Sequence, residues 1–206
     1  MNLIPIYSVP LWQSDYPNFE EQKETLISIV KEYKKQNSTK KRPISNRFGY
    51  QSPNTLQGVE ELRPLFDHIC QMGLKAAVDL DFIDCDIALT AAWLNVNDSR
   101  QCMNIEHVHS DVFSGVFYLQ APEGSGKLSF QNPAMNPLWD GIDLISEKNQ
   151  FTAHHVRIEP IEGNIILFPS HLPHSVETNN HDEERISISF NLIALPKGSI
   201  DHTTHR

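Results

Sequence analysis

A chain of 206 residues, 39% apolar and 21% charged, is long enough to bury a sizeable core and too apolar for wholesale disorder. Its net charge of −9 and pI near 5.5 argue against a general nucleic-acid binder, which carries a basic balance. Cys70, Cys85 and Cys102 are odd in number and lack CxxC spacing, so a reducing compartment is expected and a disulfide framework is not. The N-terminus has no basic segment followed by a long apolar one, so no signal peptide is expected. No apolar run approaches the roughly 18 residues of a membrane span. The expected setting is the cytoplasm, without membrane contact.

Residues 3–12 carry Pro5 and Pro10 among β-formers and read as an extended strap or edge strand. Asn18 stands where an N-cap would, ahead of a helix over 19–35. Phe19, Leu26, Ile29, Val30 and Tyr33 share one face of it. A basic, solvated loop follows over 34–42. The turn-rich stretch 46–53 carries Phe48 and Tyr50 and reads as an ordered loop. A second helix is expected over 60–79, with Pro64 in its first turn. Leu62, Leu65, Phe66, Ile69, Met72, Leu74 and Val78 are its expected buried side, and Gly73 weakens its centre.

After residue 85 the period changes. Short β-type runs occupy 87–96, 101–107, 114–121, 127–131, 154–158, 163–168, 174–177 and 185–193, separated by turn signals. Eight short strands at this spacing predict a β-sandwich or barrel. Helices first and strands after make the fold class α+β, a jelly-roll core backed by N-terminal helices. One domain over 1–206 is expected: strap and helices to residue 85, the core over 86–195, and a disordered tail from 196. The irregular stretch 133–153 is long enough to be a lid or a disordered tip.

Chemistry concentrates around residues 104–111, where His107, His109 and Asp111 alternate at the mouth of a strand and would share one face. His174 follows His109 by 65 residues, yet distant strands of a jelly roll face each other. Imidazole and carboxylate suit first-row transition metals, and a three-ligand face with open positions opposite suits oxygen chemistry at Fe(II). Arg185 begins a strand in which Arg185, Ser187 and Ser189 share one face and isoleucines the other. An inward arginine is costly to bury alone, and its guanidinium fork matches a carboxylate. Asn95 and Asn191 either face the pocket or bond backbone at strand ends, and Trp93 is expected in the core. His154, His155 and His171 stand between pocket rim and surface.

These pieces come in a recognisable order. Trp93-Leu94-Asn95 is followed by His107-Val108-His109 and by Ser114-Gly115-Val116-Phe117-Tyr118-Leu119. Gly126-Lys127-Leu128-Ser129-Phe130-Gln131-Asn132-Pro133 comes next, then Phe168-Pro169-Ser170-His171-Leu172-Pro173-His174, then Arg185-Ile186-Ser187-Ile188-Ser189-Phe190-Asn191. The arrangement resembles the Fe(II)/2-oxoglutarate-dependent dioxygenases, and most of all a group of uncharacterised members from marine bacteria and phages. The resemblance spans about residues 45–193, including the 45–52 loop.

The resemblance implies Fe(II) and 2-oxoglutarate as cofactors and O2-dependent hydroxylation of a small molecule or peptide side chain, with release of succinate and CO2. It implies His107 and His174 as the first and distal metal ligands. Arg185, with Ser187, would hold the distal carboxylate of 2-oxoglutarate, Tyr118 would bond the same carboxylate, and Asn95 would join the cofactor pocket. The middle ligand departs from the His-x-Asp or His-x-Glu of the wider superfamily. Either His107-x-His109 is the pair, with a histidine in place of the acid, or His109-x-Asp111 is. The resembled group carries His-x-His, which favours the first register. Two other readings remain: a cupin-type metal enzyme without 2-oxoglutarate, and a non-catalytic jelly roll with a decayed metal site.

Overall fold

Alternation of apolar and polar residues after residue 85 resolves into two antiparallel sheets. The structure, a computed structural model, describes residues 1–2, 8–39, 45–98, 102–134, 149 and 151–199. The core strands are β4 (Cys85–Asn97), β5 (Met103–His107), β6 (Phe113–Gln120), β7 (Leu128–Gln131), β8 (His155–Ile158), β9 (Asn164–Pro169), β10 (His174–Val176) and β11 (Arg185–Pro196). They fall within a few residues of the runs expected from periodicity. Three more strands, β1 (Trp12–Asp15), β2 (Asn46–Arg47) and β3 (Tyr50–Gln51), extend the sheet edges. One sheet runs β1-β9-β6-β11-β4-β3 and the other β2-β5-β10-β7-β8. Core strands alternate between the two sheets except at β7 and β8, which pair with each other in the smaller one; this is the double-stranded β-helix, or jelly roll.

Helices α1 (Phe19–Gln36) and α2 (Arg63–Asp79) pack on the outer face of the larger sheet. There Phe19, Leu26 and Val30 of α1, and Leu65, Ile69 and Ala76 of α2, meet Leu94, Phe117, Ile186 and Ile188 in one apolar cluster. A second cluster, Val116, Leu128, Phe130, Ile166, Phe168 and Leu172, lies between the sheets. The alternation of β11 therefore divides as expected. Its isoleucines go to the helix side, and Arg185, Ser187 and Ser189 go to the interior between the sheets. No described helix is long and apolar enough to cross a membrane.

The helices correct three details. Asn18 is left-handed (φ 54°) and makes no side-chain cap bond; an N-cap needs extended backbone to reach the first-turn amides. The Gln22 amide instead donates to the Pro17 carbonyl at 3.1 Å. Leu74 and Val78, expected inside, are 39% and 64% exposed. Gly73, Ala76 and Ala77 face the sheet instead, because the close approach of α2 leaves no room for larger residues. A Cβ on Gly73 would stand 2.6 Å from Leu192 Cδ1 and 3.0 Å from Ile87 Cγ2. Residues 60–62 form a short 3-10 turn before α2 rather than its first turn.

Residues 3–7 of the expected strap, residues 40–42 of the basic loop, most of the 133–153 stretch and the tail from residue 200 lie outside the described residues. Residues 197–198 are pinned: the Lys197 amide donates to the Asp84 carbonyl and the Gly198 amide to Asp86 Oδ2, both at 2.7 Å.

Candidate metal and cofactor site

Strand register brings the distant histidines together. His107 ends β5 and His174 begins β10, and the two are direct cross-strand partners. The chain after β5 turns back so that the His109 amide donates to the Ser170 carbonyl at 2.9 Å. The ring centroids of His107 and His174 stand 4.3 Å apart, those of His107 and His109 4.9 Å, and those of His109 and His174 5.4 Å. One nitrogen from each ring lies within 4.8 Å of the others, a group able to hold a metal ion.

Two of the rings are oriented by backbone. His107 Nδ1–H donates to the Ile105 carbonyl at 2.8 Å, and His174 Nδ1–H to the Leu172 carbonyl at 2.9 Å. A carbonyl only accepts, so the proton sits on Nδ1 and the neutral ring keeps its Nε2 lone pair for a ligand. Burial keeps the rings neutral. It draws His174 down to about 3, aided by the neighbouring His107, and His109 to about 4, where His107 adds to the effect and Asp111 opposes it. His107 is lowered as well, by burial. Neutral imidazole is the form a metal needs.

Asp111 is not part of this group. Its Oδ1 accepts from the Thr90 hydroxyl at 2.8 Å, and that hydroxyl also donates to the Asn191 carbonyl at 3.1 Å.

Arg185 and Tyr118 line the same pocket as the three histidines, each only 1% exposed. Arg185 Nη1 donates to the carbonyls of Ser125, Gly126 (3.1 Å) and Glu177 (3.4 Å). Its Nη2 has no partner among the described residues, and neither has the Tyr118 hydroxyl. Burial draws the guanidinium below its ordinary value and pushes the Tyr118 phenol up to about 12, the nearby Arg185 pulling the other way. Tyr118 is thus a neutral O–H donor beside a buried cation. Two buried donors without acceptors fit a ligand carboxylate, and the neutral imidazoles fit a divalent metal.

Ser187 and Asn95 also line the pocket, facing each other across the β4–β11 ladder. Asn95 Nδ2 donates to Ser189 Oγ at 3.0 Å and leaves its Oδ1 unpartnered. Trp93 is buried, as expected, and also lines the pocket, its ring 5.6 Å from that of His109. It points inward because it sits two residues before Asn95 on the same strand face. Asn191 holds a buried hydroxyl pair: Ser114 Oγ donates to its Oδ1 at 2.9 Å and bonds Ser170 Oγ at 2.7 Å. Neither His154 and His155, stacked 5.8 Å apart, nor His171, which is exposed, lines the pocket.

Ser45 and Asn104, hydrogen-bonded to each other at 3.2 Å, complete one wall and were not anticipated. Nothing local marks them, since they meet only through the pairing of β2 with β5.

Residues 91–191 match the model of a family described as "Putative 2OG-Fe(II) oxygenase". No curated protein matches the chain. Among solved structures, the chain is similar to a Pseudomonas putida prolyl-4-hydroxylase at 15% identity, covering 93% of this chain and 95% of that one, with a TM-score of 0.62. A Trichoplax adhaerens prolyl hydroxylase, solved with a hypoxia-inducible-factor peptide fragment, is 16% identical over 89% of this chain and 83% of its own, with a TM-score of 0.59. The epimerase SnoN, solved with Fe3+, α-ketoglutarate and nogalamycin RO, is 12% identical over 96% and 87%, also with a TM-score of 0.59. At these identities the solved structures establish the shared fold.

Proposed function

This chain belongs to the 2OG-Fe(II) oxygenases, whose cofactors are Fe(II) and 2-oxoglutarate, and on that premise we propose that it hydroxylates a C–H bond of a small molecule or peptide side chain. The balanced reaction joins substrate R–H, O2 and 2-oxoglutarate to give R–OH, succinate and CO2. His107, His109 and His174 would hold the metal through Nε2. Arg185 Nη2 and the Tyr118 hydroxyl, with Ser187, would hold the distal carboxylate of 2-oxoglutarate, and Asn95 would close the pocket beside it. When bound, Fe(II) and 2-oxoglutarate supply O2 activation coupled to oxidative decarboxylation of the 2-oxo acid.

The chain's own residues position and shield. The backbone bonds at Nδ1 fix the rings of His107 and His174 before metal arrives. Phe168 and Phe130 pack around His174, with ring centroids at 4.7 and 6.2 Å, and exclude water from that side. Arg185 offers a charge that no carboxylate among the described residues cancels, and Tyr118 stays protonated to donate. His109, rather than Asp111, completes the ligand set in this reading. It is supported by the carboxylate of Asp111 being engaged with Thr90.

The observation that carries the proposal is the buried, unpartnered pair Arg185 Nη2 and Tyr118 OH in the same pocket as the histidines. A cupin-type reading leaves both unemployed. Anaerobic titration of the protein with Fe(II) and then 2-oxoglutarate tests it. We expect a weak visible metal-to-ligand band that saturates at one equivalent and is lost in Arg185→Gln. Iron binding with no band, or a band indifferent to Arg185→Gln, would refute it.

A further inference from the structure

Among the described residues, Arg185 is a buried cation whose hydrogen bonds all go to carbonyl oxygens. Two of the three belong to the loop between β6 and β7, which is closed by a bond from the Ser125 amide to the Pro122 carbonyl at 3.0 Å. The loop docks on the chain after β10. The Asn180 amide donates to the Gly124 carbonyl at 3.1 Å and the Glu177 amide to the Lys127 carbonyl at 2.9 Å. Gly126 is the point of closest approach. Its φ is +92°, and a Cβ there would overlap the Glu177 carbonyl oxygen and stand 2.7 Å from that of Thr178. A larger residue would lift the loop away, and the Ser125 and Gly126 carbonyls with it.

We propose that Gly126 is a positioning residue for Arg185: it seats two loop carbonyls against Nη1, which fixes the guanidinium, leaves Nη2 for an acid, and so sets the preference for a 2-oxo acid bearing a distal carboxylate. Neutral carbonyls suit this task. They hold the guanidinium by hydrogen bonds without neutralising it, whereas a carboxylate partner would compete with the incoming one. Gly126 also opens the Gly-x-Leu-x-Phe-x-x-Pro stretch. The inference rests on Arg185 holding the distal carboxylate of 2-oxoglutarate.

The test is equilibrium binding of two 2-oxo acids to the Fe(II)-loaded protein under argon, by calorimetry. One is 2-oxoglutarate; the other is 2-oxovalerate, of equal chain length without the distal carboxylate. The wild type should prefer 2-oxoglutarate by about tenfold or more, since hydrogen bonds to a charged group are strong. Gly126→Ala should bring that ratio close to the one shown by Arg185→Gln, with Fe(II) affinity unchanged. Gly124→Ala is the control. Gly124 shares the left-handed backbone (φ +81°), but a Cβ there meets nothing within 4 Å, so it should keep the wild-type ratio. General damage to the fold would weaken both acids alike and leave the ratio intact.

A Gly126→Ala protein with the wild-type ratio overturns the proposal. A wild type that does not distinguish the two acids overturns the cofactor reading itself, and this proposal with it. If Gly126→Ala does not fold, Arg185→Lys decides. One ammonium cannot occupy the carbonyl cradle and also present a second, separate nitrogen, so the ratio should fall nearly as far as in Arg185→Gln. Arg185→Lys with the wild-type ratio would overturn the role of the cradle.

Discussion

Arg185 shows how a single side chain carries a functional reading. Fully buried, free of any carboxylate among the described residues and with Nη2 unpaired, it is costly unless a ligand anion completes it. Arg185→Gln should therefore weaken 2-oxoglutarate by about tenfold to a hundredfold, the worth of roughly 1.5–3 kcal/mol for a charged hydrogen bond, with Fe(II) binding unchanged. Calorimetry on the iron-loaded protein checks this. The histidines make a second prediction: His109→Ala should release Fe(II) on dialysis, and Asp111→Ala should retain it. Retention by His109→Ala and release by Asp111→Ala would move the site to the other register. A third concerns pH. Burial holds His109 near 4 and His174 near 3, below the ordinary 6.5. Below pH 6.5 the unfolded, metal-free chain thus binds more protons than the folded one. Its stability should fall as pH drops from 6.5 towards 4, and stay level, as far as these groups act, above 6.5. Urea midpoints of the metal-free protein at pH 7.5, 6 and 5 measure it. At this scale much could be read from the sequence. The inward face of Arg185, Ser187 and Ser189 follows from a period of two, but the carbonyl cradle does not. It depends on backbone atoms some 60 residues away, which carry no residue-type signal.

Among the elements, most core strands are readable because they are long enough to show alternation, although β10 has only three residues. β2 and β3 have two residues apiece and can show none, so the 46–53 stretch reads only as an ordered loop. The helices were readable as helices, but the buried face of α2 was misjudged for a physical reason. Hydrophobicity ranks Leu74 and Val78 above Gly73 and Ala77, yet the sheet approaches so closely that only the small residues fit beneath. Gly73→Leu should accordingly destabilise the protein by about 1–3 kcal/mol through overpacking against Leu192 and Ile87. Val78→Ser, on the exposed side, should stay within about 0.5 kcal/mol. Neither should alter 2-oxoglutarate affinity, because both act on the outer face of the larger sheet. Denaturant midpoints and calorimetry together distinguish this from a helix coupled to the site.

For the whole molecule, the jelly roll turns scattered motifs into one pocket. His107 and His174 meet because β5 pairs with β10, Ser187 meets Tyr118 because β11 pairs with β6, and Asn95 joins them through β4. None of these pairings is local, so the sequence reveals the residues and their order but not their register. The helices back the larger sheet and leave the interior between the sheets to the polar face of β11. We propose that this interior holds a three-histidine metal beside a carboxylate site at Arg185 and Tyr118. Anomalous diffraction from crystals grown anaerobically with Mn(II) and 2-oxoglutarate tests it most directly. A single manganese peak is expected, bonded by Nε2 of His107, His109 and His174, with the distal carboxylate on Arg185 Nη2 and the Tyr118 hydroxyl. A peak bonded by Asp111 in place of His107, or 2-oxoglutarate density away from Arg185, would contradict it.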